Sequence, residues 1–410
     1  MRISTNTIYD SNVAALGQQQ TRLFQTQQQV STGRRMQTAS DDPVAAARAL
    51  SVNQADAMNT QYAANRTVLR HTLSLAESNL QTVTLLLQDV RAAAVNGGNG
   101  SFTDHERRTI ATELSGKLQE LIGLANSTDG AGNYLFSGFQ TQAQPFADVA
   151  GVMSYSGDDG QRLMQANASR QIASSDSGAD VFMRIKNGNG TFVTKPAVAN
   201  TGTGVISIGS VSDSTSLTGL NYSVVFTVTP GVAGAPDVTT YTVNDTTTPA
   251  VVSAGNPYVS GQAISFDGMK FDIQGIPANG DTFTVTPSTN ESIFKTVSDL
   301  IAALNTPAAT AANGGTTSIV NSLGRSLNNL DNALNNILSI RSSLGLRLQE
   351  VDALQTAGDD LGLQFKQTLS QLQDIDYNKA ISDLAQQQMS LQAAQKSFAT
   401  VSSLSLFSYI

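Results

Sequence analysis

The two ends of the chain carry matching apolar patterns, although hundreds of residues separate them. Each end is a glutamine-rich segment whose apolar residues repeat with a period of about seven, which places them on one stripe of a helix. The stripe residues are Tyr9, Val13, Leu16, Leu23 and Val30 near the start, and Ile381, Leu384, Leu391, Phe398, Val401 and Leu404 near the end. Such a stripe must be buried against another helix. We therefore predict that the two ends pair with each other and with further copies of the chain.

Polar residues interrupt both stripes. Gln20 and Gln27 occupy stripe positions in the first segment, and Gln388 does so in the second. Because a polar residue in a helix seam lowers stability but specifies register and partner, we expect the stripe residues to form an assembly interface. Membrane-surface helices are the alternative, but they carry Lys and Arg on a polar face that here is mostly Gln, Ser, Thr and Asn.

Composition favours an assembly protein over an enzyme. The 410 residues are enough for about two or three domains. Only 14% are charged and the net charge is -8, so neither a nucleic acid nor a membrane is expected as partner. Because there is no Cys, the chain forms no disulfide and no thiolate metal site. No segment approaches the ~18–20 apolar residues of a membrane span, and the first residues lack a cleaved secretory signal, so any secretion is expected to use another route.

The N-terminal third of the chain predicts three helices. Gly33 predicts a left-handed end to the first helix. The Asp41–Pro43 motif predicts the start of a second, which runs to about Val95 without a further Pro or Gly. Thr103 and Glu106 predict a capping box at the start of a third helix. We expect this third helix to fold back antiparallel to the second.

The middle of the chain loses helical periodicity and gains Gly, Ser, Thr and Asn. Candidate strands lie at Val152–Tyr155, Tyr222–Thr229, Thr239–Val243, Ala263–Phe266, Lys270–Ile273 and Thr282–Val285. Asp267-Gly268 between two of them predicts a tight hairpin. Helical periodicity returns near Ile293 and runs from about Thr317 into the C-terminal stripe.

These patterns predict an α+β fold: a long antiparallel α-helical hairpin or coiled-coil bundle built from both chain ends, with a central β-rich inserted domain. Three domains are expected. Residues 1–40 with 371–410 form a paired-helix assembly domain, 41–190 with 291–370 a long-helix bundle with small β elements, and 191–290 a β-rich outer insert.

Residues able to support metal chemistry are few. His71 and His105 are the only histidines, and no further ligands stand at metal-binding spacing, so we interpret both as ordinary helix histidines. Asp158-Asp159-Gly160 and Asp180 lack the spacing of a calcium-binding loop, so we interpret them as turn residues. The sequence therefore predicts no metal site.

Two Asn/Gly runs begin at Asn96 and Asn187. Neither opens a helix after a strand or carries the Gly-Lys-Ser/Thr ending of a phosphate-binding loop. A nucleophile elbow with plausible partner residues is also missing from the sequence. We therefore predict no catalytic residues, no cofactor and no enzyme activity.

Several motifs point to a known family. They are Arg2–Thr5, Ser31–Arg35, Ser40–Leu50, Gly132–Gly138, Tyr155–Asp158, Gly275–Phe283, and Asp376-Tyr377 with the helix that follows. Together they resemble the flagellin superfamily and, within it, the hook-associated protein 3 family of the hook–filament junction. The motif at 40–45, Ser-Asp-Asp-Pro-Val-Ala, departs from the Lys-Asp-Asp-Ala-Ala-Gly expected in a flagellin. The segment from about Thr191 to Gly261 resembles the family least.

The resemblance implies a structural role outside the cell. A protein of this family is exported unfolded through the flagellar type III channel and polymerises through its paired terminal helices. It forms a ring of copies between hook-associated protein 1 and flagellin, and an export chaperone shields its C-terminal region before secretion. Two other functions stay open: a minor flagellin that forms the filament itself, and a surface adhesin whose β insert binds a ligand.

Overall fold

The computed structural model describes residues 5–231, 236–307 and 315–403. It has the predicted α+β fold, in which helices from the two termini pack together and antiparallel sheets occupy the middle of the chain. The α-helices are α1 (Thr5–Thr32), α2 (Pro43–Gly97), α3 (Asp104–Ala125), α4 (Ile293–Asn305), α5 (Thr316–Gln373) and α6 (Tyr377–Ser403), and a short π-helix lies at Ala179–Met183. The chain forms two compact units: a terminal unit of Met1–Arg66 with Ala353–Ile410, and a central unit of Thr67–Asp352.

Within the central unit, α2 and α5 run antiparallel and supply much of the helical core. The apolar positions predicted on α2 are all buried, and they are Leu69, Leu73, Leu80, Val83, Leu87 and Val90. Ion pairs join the two helices in antiparallel order: Arg91–Asp331 at 2.7 Å, Glu77–Arg341 at 2.7 Å and Arg70–Asp352 at 2.5 Å. The apolar residues that recur along α2 in the sequence are therefore core residues, because they face a second long helix.

Helix α3 begins and packs as the sequence predicts. The Thr103 Oγ1 accepts a hydrogen bond from the Glu106 amide at 3.3 Å, and the Glu106 carboxylate accepts one from the Thr103 amide at 2.7 Å, so the capping box is complete. Lys117 pairs with Asp89 of α2 at 3.2 Å. Further along α3, the Leu124 carbonyl accepts from the Asn79 amide at 3.2 Å. The two helices are antiparallel, because residue numbers increase along α3 from Lys117 to Leu124 while those of their partners on α2 decrease from Asp89 to Asn79.

Fifteen strands lie among the described residues. They are β1 (Phe146–Val149), β2 (Val152–Tyr155), β3 (Leu163–Asn167), β4 (Arg170–Ala173), β5 (Ile185–Lys186), β6 (Phe192–Pro196), β7 (Val205–Ile206), β8 (Ser210–Val211), β9 (Tyr222–Thr229), β10 (Val238–Asp245), β11 (Ala250–Pro257), β12 (Ala263–Phe266), β13 (Met269–Gln274), β14 (Thr282–Pro287) and β15 (Asn290–Glu291). All pairings are antiparallel. We call β6 to β14 the β insert.

The β insert consists of two sheets around one aromatic core. One sheet has the order β11-β10-β9-β14-β6, and the other has the order β12-β13-β7 with β8 also paired to β13. Phe226 and Phe283 pack edge to face with ring centroids 5.7 Å apart, and Tyr258 packs against Phe226 at 5.1 Å. Tyr222 and Phe271 are buried in the same cluster. The Thr- and Val-rich alternation of the sequence thus places one face of each strand in this core.

The predicted strands are confirmed, and three of them match the structure residue for residue: Val152–Tyr155, Tyr222–Thr229 and Ala263–Phe266. The predicted hairpin at Asp267-Gly268 is also present, with φ values of 43° and 73° that suit a type I′ turn. The sequence analysis missed β11, among others. This strand lies at the edge of its sheet, its side chains are mostly exposed and its pairing is bulged, so it has no clean apolar alternation.

The family-like motifs at 132–138 and 155–158 meet in one tightly packed loop module. The Tyr155 hydroxyl donates to the Asp158 carbonyl at 2.8 Å and lies 3.0 Å from the Phe136 carbonyl oxygen. The Asp158 Oδ1 accepts from the Phe139 amide at 2.9 Å. A Cβ added to Gly178 would lie 2.5 Å from the Phe136 carbonyl oxygen, so only glycine fits there. These motifs therefore maintain the local fold.

The acidic residues Asp158, Asp159 and Asp180 form hydrogen bonds and ion pairs within the chain. Asp158 Oδ1 also accepts from the Gly160 amide at 2.8 Å, which closes a turn. Asp159 and Asp180 both pair with Arg184, at 2.5 Å and 2.9 Å. Asp158 and Asp159 lie in a loop, as their interpretation as turn residues predicts, whereas Asp180 lies in the π-helix Ala179–Met183, so that interpretation is wrong for Asp180.

Candidate assembly interface

Helices α1 and α6 pack antiparallel in the terminal unit, as the matching stripes predict. At one end, the backbone just after α1 pairs with the backbone between α5 and α6: the Arg35 amide donates to the Gln373 carbonyl at 2.8 Å, and the Ile375 amide donates to the Gly33 carbonyl at 3.0 Å. At the other end, the rings of Tyr9 and Phe398 lie 5.3 Å apart. The first and last helices thus meet along most of their length.

Gly33 makes the connection after α1 possible. It has a φ of 70°, the left-handed conformation expected at a helix end. A Cβ at this position would also lie 2.9 Å from the Tyr377 hydroxyl of α6. Glycine is therefore favoured by the left-handed backbone, and a larger residue would also displace the Tyr377 hydroxyl.

The seam between α1 and α6 follows a heptad repeat on both helices. Apart from Gln29 and Asp383, the buried or half-buried positions of the two helices recur at alternating spacings of four and three. They are Asn12, Leu16, Gln19, Leu23, Thr26 and Val30 on α1, and Ala380, Leu384, Gln387, Leu391, Ala394 and Phe398 on α6. Apolar and polar or small residues alternate along each helix. A seam of this composition specifies a register but buries little apolar surface.

The structure places the predicted stripe residues in two groups. Six of them lie half-buried in the seam, and they are Leu16, Leu23, Val30, Leu384, Leu391 and Phe398. Three others are about half exposed: Tyr9 at 54%, Val13 at 46% and Ile381 at 55%. The side chain of Val401 is not described, and Leu404 lies outside the described residues.

The prediction of Gln20, Gln27 and Gln388 as seam glutamines is wrong for this helix pair, because all three are exposed. The seam instead contains Gln19 and Gln387, whose Oε1 atoms are buried without a hydrogen-bond partner in the part of the chain that the structure describes. The sequence could not distinguish these positions, since each lies in a run of consecutive glutamines and the seam uses the residue one place before the stripe position.

The α1–α6 pair does not bury its own apolar surface. Among the described side chains of the two helices, only Thr26 and Ala380 are buried. The helices leave a cavity of about 230 Å³ beside Leu16 and Phe398. Phe24 and Met389, which the sequence analysis did not select because they lie off the stripes, are each 65% exposed. A two-helix pair with this much apolar exposure is typical of a surface that packs against other chains.

The predicted start of α2 is confirmed, and its two aspartates have separate roles. The Asp42 Oδ1 accepts from the Ala45 amide at 3.0 Å and caps the helix. The Asp41 carboxylate accepts from the Gln37 and Thr38 amides, both at 2.9 Å, and fixes the loop that follows α1. These hydrogen bonds lower the pKa of both carboxyls; for Asp41 the Thr38 amide has the larger effect.

This loop is expected to loosen in acid. A carboxyl whose pKa is lower in the folded chain stabilises the fold above its unfolded-state pKa, and this stabilisation is lost as the pH falls through the folded-state pKa. The amide resonances of Gln37 and Thr38 should therefore move together in an NMR titration at a pH below the ordinary Asp value of 3.8. Asp41→Asn should abolish that movement, and resonances that stay fixed in the native protein would contradict the assigned role.

The two histidines do not contribute to any site on these helices. His71 and His105 are both exposed. The ranges 5–231, 236–307 and 315–403 contain no group of three His, Asp or Glu side chains arranged to hold a metal ion. In the same ranges, no helix has the length and apolar character to span a membrane.

Comparison with known proteins supports the same view of the chain. The family model for the bacterial flagellin N-terminal helical region matches residues 3–141. The model for the D2-like domain of flagellar hook-associated protein 1 matches residues 197–287, a region that includes most of the β insert. The chain thus combines a flagellin-like helical region with a hook-associated outer domain.

Two curated relatives match the full length of the chain, and both are named flagellar hook-associated protein 3. Flagellar hook-associated protein 3 of Salmonella typhimurium is 29% identical over 407 residues, which cover 99% of both chains. The crystal structure of flagellar hook-associated protein 3 from Legionella pneumophila has 32% identity and a TM-score of 0.72, over 78% of this chain and 98% of that chain. The FlgL structure from Xanthomonas campestris has 31% identity and a TM-score of 0.71, over 78% and 99%. The chain belongs to the flagellar hook-associated protein 3 family.

Proposed function

We propose that this chain is a structural adaptor between the flagellar hook and the flagellin filament, with no enzymatic activity. The Legionella pneumophila relative is called a flagellar junction protein, and this chain covers all of it at 32% identity. The observation that carries the proposal is the α1–α6 pair, which leaves Tyr9, Val13, Phe24, Ile381 and Met389 about half exposed or more in the single chain. Neighbouring subunits would cover that surface in the flagellum.

Assembly would use the terminal helices. Residues 1–40 with 371–410 serve as the assembly domain, 41–190 with 291–370 as a stiff helical support, and 191–290 as an outer domain. The stripe residues Tyr9 to Val30 and Ile381 to Leu404 form its interface. Six of them align α1 with α6, and the exposed faces of Tyr9, Val13 and Ile381 would contact other copies.

The two faces of a junction ring require two different partners. Hook-associated protein 1 is the partner on the hook side, and the match of residues 197–287 to the model of its D2-like domain supports this assignment. Flagellin is the partner on the filament side, and the match at 3–141 indicates helices of the flagellin kind. A chain similar to both neighbours suits an adaptor that packs against each with related helices.

Export fits the same role. A subunit of the flagellum travels through a narrow channel as an unfolded chain and folds outside the cell. Because the protein has no Cys, no disulfide hinders unfolding or must form at the distal end. Before export, the apolar residues of α6 would need cover, and we propose that the export chaperone supplies it.

Deletion of the gene in the source bacterium tests the adaptor role. The expected result is hooks without filaments by electron microscopy, with flagellin monomers released into the medium. Expression of the native gene from a plasmid should restore filaments and is the control for effects on neighbouring genes. Intact filaments on deleted cells would contradict the proposal.

A minor flagellin is the second candidate. A flagellin of Listeria monocytogenes is 26% identical over 129 residues, but these cover only 32% of this chain. A filament subunit polymerises without limit, whereas an adaptor stops at a ring. Sedimentation of the purified protein after seeding with filament fragments separates the two, since long polymers would favour the flagellin role.

A further inference from the structure

Helix α5 carries asparagines whose side-chain amides bind backbone atoms of a distant part of the chain. They are Asn321, Asn328, Asn329, Asn332 and Asn336. They face the segment from Asp180 to Ile206, which precedes and enters the β insert. Asparagine is a weak helix former, so this concentration on one helix face is not explained by helix propensity.

Three of these asparagines hold one residue. The Gly188 amide donates to the Asn329 Oδ1 at 2.9 Å. The Gly188 carbonyl accepts from the Asn332 Nδ2 at 2.8 Å and also from the Asn328 side chain. Gly188 has a φ of 61°, and a Cβ there would lie 2.2 Å from the Phe192 carbonyl oxygen. Both the left-handed backbone of the turn and the close approach of the Phe192 carbonyl therefore require glycine.

The same turn also joins the two connections of the β insert. The Asn187 Oδ1 accepts from the Thr289 amide at 2.9 Å, and the Ser288 hydroxyl donates to the Asn187 carbonyl at 2.7 Å. The Glu291 carboxylate accepts from the Asn329 Nδ2 at 3.0 Å. The entering and leaving strands are thus bound to each other and to α5. The Asn/Gly run at Asn187, which matched no ligand-binding motif, is the neck of the insert.

The contacts extend beyond the neck in both directions. The Asn321 Oδ1 accepts from the Ile206 amide at 3.0 Å, and its Nδ2 donates to the Gly204 carbonyl at 3.0 Å, which binds β7 of the insert. At the other end, the Asn336 Nδ2 donates to the Asp180 carbonyl at 2.9 Å. From Asn321 to Asn336 the contacts span about four turns of α5, so they resist rotation of the insert about its neck.

We propose that these five asparagines form an amide clamp that holds the β insert in a single orientation on α5. Asn321 and Asn329 are each only 6% exposed, and each uses both its donor and its acceptor in the clamp. A shifted insert would leave these buried amides unsatisfied, which is costly. The insert is thereby a rigid extension of the helical unit, although two short strands are its covalent links.

Distance measurements between spin labels test the clamp. Because the native chain has no Cys, a Val251→Cys and Ser339→Cys pair places one label on β11 and one on α5. We compare the full-length labelled protein with a variant that also carries Asn328→Ala, Asn329→Ala and Asn332→Ala. The expected result is a narrow distance distribution in the labelled parent and a broad one in the triple variant. Circular dichroism reports whether the variant retains its sheets.

Asn335→Ala is the matched control, because Asn335 lies on the same helix and is exposed. It should leave the distribution narrow. If the triple variant does not fold, Asn332→Ala alone replaces it and should still broaden the distribution. In Asn329→Ala, hydrogen exchange of the Gly188 amide should also accelerate by about tenfold, because one hydrogen bond is lost. A distribution that stays as narrow as in the parent, in a folded clamp variant, would overturn the proposal.

Discussion

Replacing Leu391 with Asp is expected to abolish incorporation of the protein into flagella while leaving the central unit folded. Leu391 lies in the α1–α6 seam, and a carboxylate there has no cation within the predicted stripes to pair with. Burying an unpaired charge costs several kcal/mol, far more than a seam of alternating polar and apolar residues can supply. Complementation of the deletion strain with the variant, followed by electron microscopy, provides the measurement.

Two control variants distinguish the effect of a charge in the seam from the effect of any substitution at Leu391. Leu391→Met keeps the volume and apolar character and should cost less than about 1.5 kcal/mol, so filaments should form. Ala393→Asp puts the same charge on an exposed position of α6 and should preserve the α1–α6 pairing in the free protein. Leu16→Asp should reproduce the defect from the other helix. Normal filaments with Leu391→Asp would count heavily against assembly through paired ends.

Phe283→Ala is expected to destabilise the β insert by about 3–5 kcal/mol, since truncation of a buried Phe loses apolar burial and leaves a cavity. The ring is fully buried and packs edge to face against Phe226. Urea unfolding followed by tyrosine fluorescence gives the change, because Tyr222 and Tyr258 lie in the same cluster and the chain has no Trp. Thr227→Ala, at an exposed position of β9, is the control and should change the free energy of unfolding little.

The same variant shows whether assembly needs the insert. If the terminal helices alone direct assembly, Phe283→Ala protein that is exported should still enter the junction. If filaments are lost although the variant reaches the medium intact, the outer domain also contributes to the ring. An unchanged unfolding midpoint would contradict the core position assigned to Phe283.

The helical part of the fold was predictable because long periodic patterns and helix caps are local signals. Gly33, the Asp41–Pro43 motif and the box of Thr103 with Glu106 each act within a few residues, and all three end or begin a helix as expected. The buried positions of α2 followed from its period for the same reason. No tertiary information was needed at these points.

The rest depended on contacts between distant segments. The edge strand β11 has mostly exposed side chains, so its sequence lacks the apolar alternation that would predict its pairing with β10. The shift of the seam from Gln20 to Gln19 depends on how α6 docks, which a single helix cannot reveal. The sequence did not single out the asparagines of α5, because their partners include backbone atoms more than a hundred residues away.

Pairing of the two termini also sets an order of folding. The rings of Tyr9 and Phe398 can meet only when nearly the whole chain is present, and closing so long a loop carries a large entropic cost. Contacts within the central unit, such as the α2–α5 ion pair of Arg70 with Asp352, shorten that loop once they form. The central unit should therefore fold first and the α1–α6 seam last, so the subunit becomes competent to bind its neighbours only after its own folding is otherwise complete.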